Sequence, residues 1–269
     1  MVTVLTGKQR QIRVREELLL DIARKMLLKS GYHGLTMARI ADAADCSKGT
    51  VYQHFSCKED LIVTLAARSS EKQRVLVERG AMFRGGTRER MLAVGEATVL
   101  FARLNWGEVR IFQIMTGEAI MQKATPEVLS QLKMSAHGTS QIMFGIVRDA
   151  IAAGDLCLPP DTSPADVVYP LWVLGDGIKS ASSSWMPPSE IGVTDAAATI
   201  LKHGFVLGDG YGWRPLSKDW DYAESLRRIR LECFPEESKK VYVEQLPVAG
   251  GGSAQFGGDG ARDNQGKEV

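Results

Sequence analysis

Two short helical patterns joined by a tight polar turn occupy residues 30 to 61, and they constrain the fold more than any other part of the chain. The first pattern follows Thr36, a residue type that caps helix N-termini. Its apolar residues recur at the i, i+3, i+4 and i+7 spacing of one buried helical face: Met37, Ile40, Ala41 and Ala44. Asp45 and Cys46 then supply the turn. The spacing predicts a helix, a turn and a second helix that packs against the first.

The second helix is too short to have a core of its own. Ser47 is placed to cap it, and only Val51 and Phe55, four residues apart, face inward. The remaining side chains face outward and combine one cation with several hydrogen-bonding groups: Lys48, Thr50, Tyr52, Gln53 and His54. Such a set suits the phosphates and base edges of a DNA major groove, so the helix is predicted to read DNA.

The string from Ser47 to Phe55 resembles the recognition helix of tetracycline-repressor (TetR) family regulators. The likeness covers residues 12 to 62 and includes the segments 31–36 and 58–61. Beyond residue 62 it is a likeness of architecture alone. It implies an all-α protein, in which a three-helix helix-turn-helix DNA-binding domain at the N-terminus precedes a larger helical domain for ligand binding and dimerisation.

Position by position, the resemblance also implies roles in DNA binding. It implies that Thr36 and Lys58 bind phosphates on either side of the groove, and that Tyr52 binds a phosphate from the reading helix. Approach to bases or to the adjacent backbone falls to five: Lys48, Gly49, Thr50, Gln53 and His54. Ser47, like Thr36, marks a helix N-terminus, whose free amides favour phosphate. The structural alternatives are that Tyr52 packs against the first helix and that His54 is a solvated surface residue.

The net charge of the 269 residues is only +1, so DNA affinity requires a local basic patch. Residues 1–60 carry ten Lys and Arg against seven Asp and Glu, or +3. Residues 1–15 contain no acid and four cations: Lys8, Arg10, Arg13 and Arg15. We therefore expect residues 1–11 to be a basic, flexible arm that contacts the minor groove or phosphates. The alternative is an ordinary frayed terminus.

The chain is long enough for this small module and one larger domain. We assign residues 12–60 to the DNA-binding domain, 61–246 to the helical effector and dimerisation domain, and 247–269, with seven Gly in 23 residues, to a disordered tail. The first helix is predicted from Glu16 to Ser30, and a capping box formed by Ser56 and Glu59 is predicted to open the fourth. That fourth helix is expected to end near Phe83. Further helices are expected over residues 87–105, 108–123, 126–153, 164–183, 193–207 and 217–234.

The larger domain offers apolar material for an effector pocket. Its candidates are two polar residues amid apolar faces, Glu118 and His137, and six large apolar ones: Phe101, Trp106, Phe112, Met115, Met143 and Trp172. Most of these side chains fit a packed core equally well. Two stripes suggest a two-fold dimer interface, one of larger residues (Val167, Leu171, Leu174 and Ile178) and one with small residues (Ala197, Leu201, Gly204 and Gly208). Burial within one subunit explains both stripes as well.

These features favour a cytoplasmic, homodimeric repressor that a small, mostly apolar effector releases from its operator. An enzyme is disfavoured, because the helical domain has no phosphate loop, nucleophile elbow or HExxH motif. The four cysteines form no CxxC pair, so we expect no metal and no cofactor. No signal peptide or membrane-spanning stretch is predicted. A third class, a DNA-bound regulator controlled by a protein partner or by oxidation of Cys46, stays open because the role of residues 213–235 is unknown.

Overall fold

The computed structural model describes residues 6–117, 119–181 and 186–242. Over these ranges the regular secondary structure is helical throughout, with a 3-10 turn at Pro188–Ile191. The α-helices in chain order are α1 Gly7–Gly34, α2 Met37–Ala43, α3 Lys48–His54, α4 Lys58–Ala81, α5 Thr87–Leu104, α6 Trp106–Gly117, α7 Ile120–Lys123, α8 Pro126–Ala153, α9 Pro164–Ala181, α10 Ala196–Gly210, α11 Tyr222–Glu232 and α12 Pro235–Val241. The all-α prediction is confirmed.

The helix-turn-helix unit forms where the capping residues predict it. The Thr36 hydroxyl accepts from the Arg39 amide at the start of α2, and the Ser47 hydroxyl accepts from the Thr50 amide at the start of α3. In the turn between them Asp45 has a φ of 48°, a left-handed conformation that Asp tolerates better than most residues. Two local hydrogen-bonding preferences therefore fix both helix starts.

Helix α1 begins nine residues earlier than predicted. Thr6 caps it in a reciprocal capping box with Gln9, so residues 7–11, which we expected to be a flexible arm, form its first turns. The expected start at Glu16 was wrong because residues 7–15 carry a polar and basic helix without a clear apolar stripe. The predicted end is close to correct, since Gly31 breaks the helical backbone with a φ of 66°.

The predicted capping box at the start of α4 is wrong. Cys57 is the N-cap and makes no capping hydrogen bond from its side chain. The Glu59 carboxylate instead accepts a hydrogen bond of 2.5 Å from the Tyr32 hydroxyl at the end of α1. Burial raises the pKa of Glu59, but this hydrogen bond and the local backbone amide outweigh it and hold the pKa below its ordinary value. A tertiary contact 27 residues away has replaced the local one.

Two hydrophobic cores meet along α4. The first joins α1, α2 and α3 to the first half of α4 and to α6, where Ile111 and Met115 are buried. The second joins the later part of α4, at Val77 and Ala81, to α5, α8 and the C-terminal segment. Helix α4 is therefore continuous across both cores, and the domain boundary assigned at residues 60/61 falls in its first turn.

The segment of unknown role, residues 213–235, packs on α5. The Trp213 indole donates to the Thr87 hydroxyl over 3.0 Å, the Ser225 hydroxyl donates to Glu89 over 2.7 Å, and Arg230 lies 2.8 Å from Glu96. The expected helix at 217–234 is shorter, because α11 ends at Glu232 and Pro235 opens α12. The segment therefore supports α5 from outside.

Two further differences concern the helices predicted at residues 108–123 and 193–207. Two other predictions concern residues outside the described ranges. The helix expected at 108–123 is divided into α6 and α7, and α10 starts at Ala196 because Asp195 caps it. The candidate pocket residue Glu118 and the tail 247–269 lie outside the described residues.

Candidate DNA-binding surface and effector cavity

The outer face of helix α3 is largely exposed to solvent. Val51 is fully buried and the adjoining Phe55 is 5 % exposed, which anchors the helix on the first core. Tyr52 is 53 % exposed, so it does not pack against α1. The other outward residues are exposed or half-buried: Lys48, Gly49, Thr50, Gln53 and His54. The arrangement can offer an ammonium, a phenol, an amide and an imidazole to a single groove.

Some predicted contact residues already have partners within the protein. The Ser47 and Thr50 hydroxyls lie 3.0 Å apart, and Thr36 is used as a cap. Gly49 has no packing reason to be glycine, because a Cβ there would meet nothing closer than the Ser47 hydroxyl at 3.6 Å. The absence of a side chain at Gly49 therefore matters only to something that approaches from outside.

Lys58 is held by the end of α1. Its ammonium donates to the Tyr32 carbonyl over 3.2 Å and lies 3.7 Å from the centre of the Tyr32 ring. Sequence reasoning missed this cation–π contact, which ties α4 to α1 beside the hydrogen bond from Tyr32 to Glu59. A phosphate contact of Lys58 remains a prediction, and we expect it to be weaker than that of Tyr52.

The basic residues predicted for the arm lie on the first turns of α1. Lys8, Arg10, Arg13 and Arg15 are all exposed there. The next two residues, Glu16 and Glu17, face the larger domain instead, since Arg68 on α4 lies 3.5 Å and 2.5 Å from their carboxylates. Glu16 and Glu17 are thus neutralised within the protein, and the cations at the start of α1 face solvent.

A cavity of about 340 Å³ lies between α4, α5, α6, α8, α9 and α10. Four of the predicted pocket residues line it: Phe112, Met115, Met143 and Trp172. Three others do not. Phe101 is fully buried away from it, Trp106 is 48 % exposed on the surface, and the exposed His137 interacts with Gln141 on its own helix. The structure does not bring these three residues to the cavity, because helix periodicity does not show which neighbour a face meets.

Each end of the cavity carries a cation that sequence reasoning missed. At one end Arg88, 5 % exposed, donates to the carbonyl oxygens of Trp213, Pro215 and Phe205 over 2.6–2.9 Å. It also lies 2.8 Å from Asp209. At the other end Lys179 pairs with Asp176 at 2.5 Å and stands over the Phe112 ring. Arg88 lies in the polar first turn of α5, so the local sequence gave no signal for its burial.

Most residues of the two stripes predicted for dimerisation line the cavity, while Ala197 does not. Val167 and Ile178 are buried, and they line it together with Leu171, Leu174, Leu201, Gly204 and Gly208. Gly208 makes room for Arg88, because a Cβ at that position would lie 2.8 Å from the guanidinium. The outer faces of α9 and α10 carry different apolar residues, with Tyr169 65 %, Val173 44 % and Val206 66 % exposed. Burial within one subunit, the alternative explanation, accounts for most of the stripe residues, while the two helices also present an outer apolar surface.

Among the helices of the described ranges, none has both the length and the hydropathy needed to cross a lipid bilayer.

Comparison with known proteins supports the assignment of the helix-turn-helix region. The family model for bacterial regulatory proteins of the tetR family matches residues 19–65. The chain is 28 % identical over 151 residues to the uncharacterized HTH-type transcriptional regulator YhgD of Bacillus subtilis, which covers 52 % of this chain and 74 % of YhgD. It is 28 % identical over 133 residues to the HTH-type transcriptional activator FasR of Mycolicibacterium smegmatis, covering 49 % of this chain and 58 % of FasR.

The structural similarity covers more of the chain than the family model does. The crystal structure of FadR from Bacillus subtilis, in complex with stearoyl-CoA, superimposes with a TM-score of 0.53 at 16 % identity. That alignment covers 69 % of this chain and 95 % of the FadR chain. At such low identity the likeness shows a shared fold, with a helix-turn-helix domain followed by a larger helical domain.

Proposed function

Because the chain belongs to the TetR family of transcriptional regulators, we propose that it is a homodimeric cytoplasmic repressor that a small, mostly apolar effector releases from operator DNA. The observation that carries this proposal is the outer face of α3, where the exposed side chains of Lys48, Tyr52 and Gln53 make no hydrogen bond within the described part of the chain. Each subunit inserts α3 into the major groove of one half-site.

Within that helix we assign base reading to Lys48 and Gln53, and backbone contacts to the other predicted residues: Thr36, Ser47, Gly49, Thr50, Tyr52, His54 and Lys58. Lys48 and Gln53 are exposed and carry the donors that bind guanine and adenine edges in the major groove. Tyr52 reaches outward with a single hydroxyl, which suits one phosphate oxygen.

Lys48→Ala or Gln53→Ala is therefore expected to change which base pairs are preferred, at a cost of about 1–3 kcal/mol for each lost bidentate contact. Tyr52→Phe should weaken binding to all sequences about equally. Selection from random DNA with each variant measures both effects, and Lys218→Ala, at an exposed position of the larger domain, is the control. An unchanged selected motif for both Lys48→Ala and Gln53→Ala would contradict the assignment.

The cavity supplies the effector site of the proposal. Its lining is largely apolar and its volume of about 340 Å³ falls within the range of small-molecule sites. The FadR neighbour, whose structure contains stearoyl-CoA, shows that a protein of this fold binds a ligand with a long apolar chain. Helix α4 both lines the cavity and packs with α1 to α3, so an effector that prefers one position of α4 changes the spacing of the two reading helices.

A thermal-shift screen of apolar compounds, followed by operator release with each stabilising compound, tests this part. We expect at least one compound both to stabilise the protein and to release DNA. Release by an oxidant or by a protein extract, together with no release by any stabilising compound, would favour control through Cys46 or a protein partner.

Dimerisation is assigned to the outer faces of α9 and α10. Val206→Glu places a charge in the centre of this apolar surface and is expected to convert the protein from twice 29.4 kDa to a monomer in sedimentation at micromolar concentration. Val75→Glu, at a valine on α4 that is 54 % exposed outside this surface, is the matched control and should remain dimeric. A dimer that survives Val206→Glu and Val173→Glu together would place the interface elsewhere.

A further inference from the structure

Two polar side chains on α4 open into the cavity without a hydrogen-bond partner among the described residues. Gln73 and Ser70 are each 8 % exposed, line the cavity, and lie three residues apart on neighbouring positions of the helix surface. Their polar atoms are not among the buried, unpartnered atoms of the described residues, so they remain accessible from the cavity. A ligand that fills the cavity must hydrogen-bond to them or leave them unpaired at a cost in free energy. The pair therefore marks a place where the effector carries a polar group.

The charges in the cavity determine what kind of polar group it is. Among the described lining residues the cations are Arg88 and Lys179, and both are already neutralised, by Asp209 at 2.8 Å and by Asp176 at 2.5 Å. Arg88 is further occupied by backbone carbonyl oxygens. A buried ionised group needs a counter-charge, and neither ion pair leaves one available. Gln73 and Ser70 can each donate and accept a hydrogen bond without any charge.

We propose that the effector is an uncharged, largely apolar molecule with one hydrogen-bonding group, such as an alcohol or an ester, which Gln73 and Ser70 bind. This inference rests on the proposed function of the cavity as the effector site. Gln73 and Ser70 are then specificity-determining residues. They lie on the helix that begins four residues after α3 ends, so the polar group of the effector contacts the element that positions the reading helix.

The size of the cavity guides the choice of probe. At about 30 Å³ for each water-sized group, 340 Å³ holds roughly eleven such groups. The ten-carbon alcohol 1-decanol has about that number of non-hydrogen atoms. Decanoate and decylammonium have the same chain with a negative or a positive head, so the three probes differ mainly in charge.

The experiment measures the affinity of the full-length protein for the three probes by calorimetry, together with operator release. We expect 1-decanol to bind at least about tenfold more tightly than either ion. Gln73→Leu and Ser70→Ala should each weaken 1-decanol about tenfold, and Gln73→Leu should melt no lower than the wild type, because it removes an unpartnered amide. Ser69→Ala is the matched control, since Ser69 is fully buried next in sequence but does not line the cavity.

Three results would overturn the proposal: equal or tighter binding of either ion, an unchanged affinity of Gln73→Leu for 1-decanol, or no binding of 1-decanol up to its solubility limit. Operator binding by the ligand-free protein is measured separately. If that binding is present and another compound releases DNA, the proposed function stands and only the chemistry of the effector is wrong. If operator binding is absent, the proposed function itself fails.

Discussion

Arg88→Met is expected to lower the free energy of unfolding by about 3–5 kcal/mol, because it leaves three buried carbonyl oxygens and the Asp209 carboxylate without their shared donor. For a protein of this size the melting temperature should fall by roughly 10 °C. Thermal unfolding of the purified variant measures it. The loss is large because Arg88 joins α5 to α10 and to the segment that follows it.

Arg227→Met is the control for this substitution. Arg227 is 54 % exposed and pairs with Glu224 on its own helix, so its loss should change the melting temperature little. Similar small losses for both variants would show that the carbonyl oxygens around Arg88 find other donors.

Removing charge from the start of α1 is expected to produce the largest change in DNA binding. If Lys8 and Arg10 contact phosphates in both subunits, Lys8→Gln with Arg10→Gln removes up to four contacts for each dimer. The slope of log affinity against log salt should flatten by up to ~0.9 for each contact, or roughly 3 to 4 in total. At 0.1 M salt, the affinity of this variant for DNA should be lower than that of the wild type by at most about three orders of magnitude.

Substitution is preferable to truncation here, because Thr6 and Gln9 cap the helix that carries these residues. Arg148→Gln with Lys218→Gln removes the same charge from exposed positions of the larger domain and should leave the slope unchanged. A slope that stays the same in the Lys8 and Arg10 variant would mean that the start of α1 does not touch DNA.

The sequence was most informative where structure is decided locally. Thr36 and Ser47 begin their helices because a hydroxyl next to a free amide makes the same hydrogen bond in any context. Val51 and Phe55 are buried, as their spacing indicated, since nothing else on so short a helix is apolar. For these reasons the helix-turn-helix unit could be placed almost residue by residue.

The predictions failed where a distant residue decides the outcome. Glu59 had the right spacing for a capping box with Ser56, yet Tyr32 provides a better donor. The stripe at Val167 and Ile178 was correctly identified as buried, but periodicity could not tell a cavity wall from a subunit interface. Gln73 resembled an ordinary surface residue, because a polar group in an effector cavity has the same local sequence as one in water.

Glu89 and Glu96 on α5 have hydrogen-bond and ion-pair partners more than a hundred positions later in the chain. Both carboxylates are buried, and their partners Ser225 and Arg230 belong to α11. A fragment or chimera that stopped after α10 would keep nearly every residue of the cavity wall. Beneath an uncovered apolar surface, however, Glu96 would lose its ion pair with Arg230 and Glu89 its hydrogen bond from Ser225. The shortest exchangeable form of the larger domain is therefore longer than the cavity it contains, and extends from Lys58 to Val241.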